Sequence, residues 1–225
     1  MKLKAFLSDL DGTLIDTRER AIHAHSNGLH AVGYAVLPTQ IRSLYYYSFD
    51  TRDLLNRLNI QLSKSEYMKY LSGFREYFFS AIHHSRVFPA TIHALKHLRP
   101  LTEHMRIITS RQDSHQARQE IKHFGLDSWF EDIVTRGDLA TAEGQDRIPL
   151  FPFVPHRQRL IKLALKDVKT EGDVWVVGDS KGELEAAKSL GYVTIGVLTG
   201  FGTIDDLTPV ATHVINSIAE IVHLI

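Results

Sequence analysis

Phe6-Leu7-Ser8-Asp9-Leu10-Asp11-Gly12-Thr13-Leu14-Ile15-Asp16-Thr17 is the stretch on which the reading of this chain turns. A short apolar strand over residues 4–8 delivers two carboxylates, Asp9 and Asp11, and breaks at Gly12. Residues i and i+2 of a strand point to one face, so both carboxylates can address one ligand at the strand's end. Charges this close repel unless a cation lies between them or one is protonated. A hard, oxygen-seeking ion such as Mg²⁺ meets that need and commonly works with phosphate groups. Taken alone, Asp-x-Asp-Gly is equally a strand ending in an acidic turn. The decision rests on what the other strand ends carry.

Beyond Thr17 the apolar spacing turns helical, with predicted helices over 17–32, 38–44, 51–58 and 63–83 and no alternating strand among them. Ser63 or Ser65 is the candidate cap of the last helix and Thr51 of the one before it. From Val87 the pattern alternates. Helices are predicted over 90–98, 114–124, 157–166 and 183–190, and strands over 105–109, 131–135, 173–177, 192–197 and 212–215, with a terminal helix from Ser217. The proline-rich stretch 144–155 reads as an irregular loop. Such alternation implies an α/β fold, a parallel sheet covered on both faces, with ligands at the carboxyl ends of the strands.

Composition narrows the function. The 225 residues fit one domain, or a domain carrying a sizeable insertion. At 44% hydrophobic and 23% charged residues the chain is expected to be globular rather than disordered. Lys plus Arg equals Asp plus Glu at 26 each, so no basic field points to nucleic acid. With no cysteine, disulfides, thiolate catalysis and Cys-ligated zinc are excluded. The first apolar run is cut by Asp9, too short for a secretory signal. No apolar stretch reaches the about 18 residues of a spanning helix. A cytoplasmic protein without membrane partners is expected.

Two later strand ends carry the polar residues that the first one calls for. Arg106-Ile107-Ile108 runs into Thr109 and Ser110, whose hydroxyls and N–H groups suit a phosphoryl oxygen. Val174-Trp175-Val176-Val177-Gly178 runs into Asp179-Ser180-Lys181-Gly182-Glu183. Gly178 is expected to allow a sharp turn, Asp179 to share a metal with Asp9, and Glu183 to hold a metal-bound water or orient its neighbours. Each piece has an ordinary alternative as a cap or a turn. Three in this order in one βα chain are much less easily dismissed.

These segments, with Ala186-Ala187 and the tail from Gly191-Tyr192 to Gly200-Phe201-Gly202, resemble the haloacid dehalogenase superfamily, in its phosphoglycolate-phosphatase-like branch with a helical cap. The resemblance spans essentially the whole chain. It implies a three-layer, Rossmann-like parallel core over residues 1–16 and 87–225 and an inserted α-helical cap over 17–86. It also implies a Mg²⁺-dependent phosphatase acting on a small phosphate ester, as monomer or homodimer. Asp9 would be the nucleophile and Asp11 the general acid and base. Mg²⁺ would be held by Asp9, the backbone carbonyl of Asp11 and Asp179, with Thr109 and Ser110 on the phosphoryl group. Asp rather than Tyr at position 11 points away from the dehalogenating branch.

The chain departs from the family in one place. Relatives carry a lysine, often as Lys-Pro, where this chain has Val154-Pro155. Arg157 is the candidate substitute, with Arg159, Arg147 and Lys162 as rivals. A phosphomutase or phosphonate hydrolase on the same scaffold is the alternative enzyme, and the latter's Schiff-base lysine would be Lys64 or Lys69. A weakly active binding or regulatory protein is the non-enzyme alternative, motivated by the valine. Tyrosines and arginines within 42–52 are candidate substrate contacts. His93 and His97, lacking an acidic partner in a His-Glu-x-x-His pattern, are expected on a surface face, as are His83 and His84.

Overall fold

The structure, a computed structural model, describes residues 2–45, 51–149 and 152–225. The chain divides into two compact units, Met1–Asp16 with Val87–Ile225, and Thr17–Arg86.

The first unit is built on a six-stranded, all-parallel sheet. Its strands are β1 (Leu3–Ser8), β4 (Thr102–Thr109), β5 (Asp132–Thr135), β6 (Val174–Gly178), β7 (Val193–Val197) and β8 (His213–Ile215), in the order β5-β4-β1-β6-β7-β8. Two short strands, β2 (Ile15–Asp16) and β3 (Arg86–Val87), pair with each other separately. Ser8 of β1 is level with Ile107 on one side and Val177 on the other. The strand order reverses across β1, so the ends of β4, β1 and β6 form a topological switch point, where α/β sheets bind ligands.

Alternation along the strands sorts the side chains onto two cores. Phe6, Met105, Ile107, Trp175, Val177 and Ile195 pack with α5 (Thr91–Leu98), α6 (Ser114–His123) and the 3-10 turn Ile218–His223. Ala5, Leu7, Ile108, Val134, Val174 and Val176 face α7 (Arg136–Ala142), α8 (Phe153–Ala164) and α9 (Lys181–Ser189). Burial on both faces is why β6 reads as an unbroken Val-Trp-Val-Val run.

Several elements differ from the sequence expectation. Strand β4 begins at Thr102 rather than 105: Thr102 is buried with a partner, its Oγ1 donating to the Leu98 carbonyl at 2.8 Å. Helix α8 starts at Phe153, so residues 153–155 are not part of the expected loop. Pro155 falls in the first turn, where a missing N–H costs no helical bond. Helices α7 and α10 (Ile204–Leu207) were not anticipated. Both open on capping boxes, Thr135 with Asp138 and Thr203 with Asp206, which satisfy first-turn N–H groups. The terminal helix is the 3-10 turn already named, preceded by Ser217.

The second unit holds α1 (Arg18–His30), α2 (Pro38–Tyr45), α3 (Thr51–Arg57) and α4 (Lys64–Ser80). Ser63 caps α4 through a capping box with Glu66, whereas Thr51 is the first residue of α3 rather than its cap. Helices α1 and α4 pack along each other. Within that contact His25 Nδ1 and the Tyr70 hydroxyl lie 2.5 Å apart. Arg20 is buried too, its Nε donating to the Phe78 carbonyl and its guanidinium lying 4.0 Å over the Phe78 ring.

Candidate active site

Each acid at the switch point is set by its offset from a strand end. Asp9 follows β1, with its N–H on the Val177 carbonyl at 2.9 Å; Asp179 follows β6; Glu183 lies in the first turn of α9. Carboxylate oxygens of the three lie within 4.8 Å of one another, and the residues are 6%, 4% and 0% exposed. Phe201 N–H donates to Asp179 Oδ2 at 2.8 Å.

Glycines make the crowding possible. Gly178 keeps extended strand backbone rather than making the sharp turn expected of it. Its function is space: a Cβ there would fall 1.9 Å from Glu183 Oε2. A Cβ at Gly200 would fall 1.8 Å from Asp179 Oδ2.

Arg157, the fifth residue of α8, reaches this cluster. Its Nη2 donates to Asp9 Oδ1 at 2.6 Å and also to Glu183 Oε1. The side chain is 2% exposed, and its Nε and Nη1 have no hydrogen-bond partner among the described residues. The rival Arg159 is instead paired with Glu143 near the surface at 2.8 Å. The guanidinium therefore stands beside Asp9 with donors to spare for an anion.

Asp11 lies near this cluster but its carboxylate is not part of it. Arg111, just after Thr109 and Ser110, grips it in a fork: Nε to Oδ2 at 2.9 Å and Nη2 to Oδ1 at 2.7 Å. The same guanidinium forks Glu120 of α6, at 2.7 and 2.9 Å. Burial works against the Arg111 charge, but Asp11 and Glu120 outweigh it and raise the pKa. Sequence reasoning missed both Arg111 and Glu120. The available signal was an acid between Ala117 and Ile121 on the apolar face of α6, which needs a buried cation.

Thr109 is 2% exposed, and its Oγ1 accepts the Arg111 N–H at 3.3 Å, leaving its own proton to donate. Ser110 Oγ lies 3.5 Å from His156 Nε2. Burial, with the charge of Arg157 adding to it, pushes the His156 pKa down to about 3, so this imidazole is neutral. In the second unit Arg42 is forked onto Glu19 at 2.9 and 2.5 Å; residues 46–50 of the candidate substrate-contact segment lie outside the described residues. Lys64 and Lys69 are both on α4. His93 and His97 lie exposed on α5.

Electrostatics test whether a cation suits the cluster. Burial is the largest influence on all three carboxyls and raises each of them: Asp9 despite the opposing Arg157, Glu183 well above its ordinary value, and Asp179 to about 7, where the Asp9 charge adds to burial. One guanidinium does not neutralise three buried carboxylates. Glu183 Oε2 also has no donor among the described residues. The donors are all carboxylate oxygens, without nitrogen or sulfur, which is what a hard divalent cation takes. The residues fit a divalent cation.

Comparison with known proteins agrees with this geometry. The family profile described as haloacid dehalogenase-like hydrolase matches residues 6–197. The chain belongs to the haloacid dehalogenase-like hydrolases. Among curated relatives, the phosphoglycolate phosphatase of Neisseria meningitidis serogroup A is 24% identical, covering 89% of this chain and 82% of its own. That of Vibrio parahaemolyticus is 26% identical, covering 89% and 85%. A solved haloacid dehalogenase-like family hydrolase from Streptococcus pneumoniae superposes with a TM-score of 0.77 at 20% identity, covering 99% of this chain and 98% of its own. No helix among the described residues is long and apolar enough to cross a membrane.

Proposed function

We propose that this hydrolase is a Mg²⁺-dependent phosphatase that cleaves a small phosphorylated metabolite through an aspartyl-phosphate on Asp9. The observation that carries this reading is the buried Asp9 carboxylate, held by Arg157 and placed within 4.8 Å of Asp179 and Glu183. The phosphoglycolate phosphatase relatives support a small phosphate ester as substrate.

Mg²⁺ would be held by Asp9, Asp179 and the Asp11 backbone carbonyl, with Glu183 beside it, and would supply charge neutralisation for the phosphoryl oxygens. In the first step a carboxylate oxygen of Asp9 attacks phosphorus while the bond to the leaving oxygen breaks. Asp11 gives that oxygen a proton. In the second step Asp11 takes a proton from water as the water oxygen attacks phosphorus. The bond to Asp9 then breaks, freeing inorganic phosphate. Arg157 has Nε and Nη1 to offer the transferring group, and the Thr109 hydroxyl and Ser110 hold its other oxygens. Phosphoryl transfer relies on such positioning and charge stabilisation. The Thr17–Arg86 unit takes the cap role in this reading, selecting the leaving group.

The test is turnover of 4-nitrophenyl phosphate and of a metabolite panel that includes phosphoglycolate. Chelation is expected to abolish activity, Mg²⁺ to restore it, and Ca²⁺ to restore it poorly, since its larger and looser coordination misplaces the nucleophile. Full activity after exhaustive removal of metal would overturn the reading.

A further inference from the structure

Arg111 satisfies two carboxylates at once, and only one of them is needed to explain its burial. Glu120 is 3% exposed and pairs with Arg111 through both oxygens, at 2.7 and 2.9 Å. That contact alone balances the guanidinium. The second fork, to Asp11 at 2.9 and 2.7 Å, reaches across the switch point from the end of β4 to the end of β1. The Arg111 side chain is 9% exposed, whereas that of Asp11 is 29% exposed. Arg111 is also pinned through its backbone: its N–H donates to Thr109 Oγ1 at 3.3 Å and its carbonyl accepts from Arg136 N–H at 3.0 Å. A rigid, doubly anchored planar donor thus faces a partly solvated carboxyl whose two oxygens must lie in the donor's plane to accept both bonds.

We propose that Arg111, anchored by Glu120, is a positioning residue that sets the orientation of Asp11 for proton transfer to the leaving group. The proposal rests on the acid and base role assigned to Asp11 above. When Asp11 carries the proton, one oxygen keeps a single bond to Arg111 while the O–H turns to the leaving oxygen. Once the proton has moved, both oxygens return to the fork. Loss of the Arg111 fork removes the constraint that holds both Asp11 oxygens in one plane, and misplacement by about 1 Å is enough to cost up to 10²-fold.

This role has a signature that plain structural support lacks. Proton donation matters little for a leaving group that departs readily as an anion and increasingly for a basic one. The experiment measures kcat/KM, which reports the first step, for aryl phosphates running from 4-nitrophenyl to phenyl phosphate, with Mg²⁺ present. Arg111→Met is expected to lose little at the nitrophenyl end and about tenfold or more at the phenyl end, with KM nearly constant. Arg111→Lys, which keeps the charge but loses the fork, is expected to fall between parent and Arg111→Met. It also carries the test if Arg111→Met fails to fold. Asp11→Asn is expected to steepen the dependence at least as much, and adding Arg111→Met to it to steepen it no further, because residues acting as a unit are not additive. A uniform loss across the series would overturn the proposal, as would a rise in KM alone or an additive double variant. An Asp11→Asn enzyme with the parental dependence would refute the acid role itself and the proposal with it. Steepening by Asp11→Asn but not by Arg111→Met or Arg111→Lys would refute the Arg111 role only.

Discussion

Arg157, the candidate for the role of the family's lysine, comes from three residues further along the chain than Val154. Its Nη2 at 2.6 Å from Asp9 Oδ1 makes it the direct cationic neighbour of the proposed nucleophile. Arg157→Ala is expected to lower kcat/KM at least about tenfold, or ~1.4 kcal/mol of transition-state stabilisation. Arg157→Lys should recover part of that, since a point charge still serves a phosphate. Steady-state kinetics of the two variants check this, and parental activity in Arg157→Ala would return the assignment to Arg147 or Lys162. Asp11→Asn is expected to slow turnover by about 10²- to 10⁴-fold, the usual effect of a lost general acid and base. At this scale the sequence was legible wherever a residue sits at a fixed offset from a strand end. That rule put Asp9, Thr109, Asp179 and Glu183 at one crevice. It could not show the Arg111 pairing, which joins Asp11 across 100 residues with no local motif, nor that Gly178 serves packing against Glu183 rather than a turn.

At the scale of elements, burial of polar groups decides more than propensity does. Inside the helical unit, His25 sits between α1 and α4 beside Tyr70, and burial lowers its pKa from 6.5 to about 3. The folded form therefore holds His25 neutral, while the unfolded chain takes a proton below 6.5. Stability from this group is complete above that pH and is lost as pH falls from 6.5 toward 3, by about 1.4 kcal/mol per pH unit. His25→Leu is expected to melt with a shallower acid dependence than the parent between pH 6.5 and 4.5, whatever its Tm at neutral pH. Equal slopes in calorimetry would contradict this. Most of the element order was legible from the apolar period. What escaped were polar-looking pieces: the start of β4, where Thr102 is buried with its hydroxyl on the Leu98 carbonyl, and the short α7 and α10, announced only by capping boxes. Proline at 155 suggested a loop where it marks a first helical turn.

For the whole molecule, the acids at the switch point link ligand binding to stability. A cation bound only by the folded chain stabilises it by about 2.7 kcal/mol at a hundredfold excess over Kd. Mg²⁺ is therefore expected to raise Tm, and Asp179→Asn to reduce or abolish that rise. An unshifted parent Tm in saturating Mg²⁺ would contradict it. Everything proposed for this site turns, however, on covalent chemistry at Asp9. It is tested most directly by quenching the Mg²⁺-loaded Asp11→Asn enzyme in acid during turnover of 4-nitrophenyl phosphate and mapping the protein by mass spectrometry. The second step should be slowed there, while this leaving group needs little help in the first. One phosphoryl group is expected on the peptide that contains Asp9, absent when Asp9→Asn is added. Turnover that persists in Asp9→Asn, or a phosphoryl group mapped to any other residue, would contradict it.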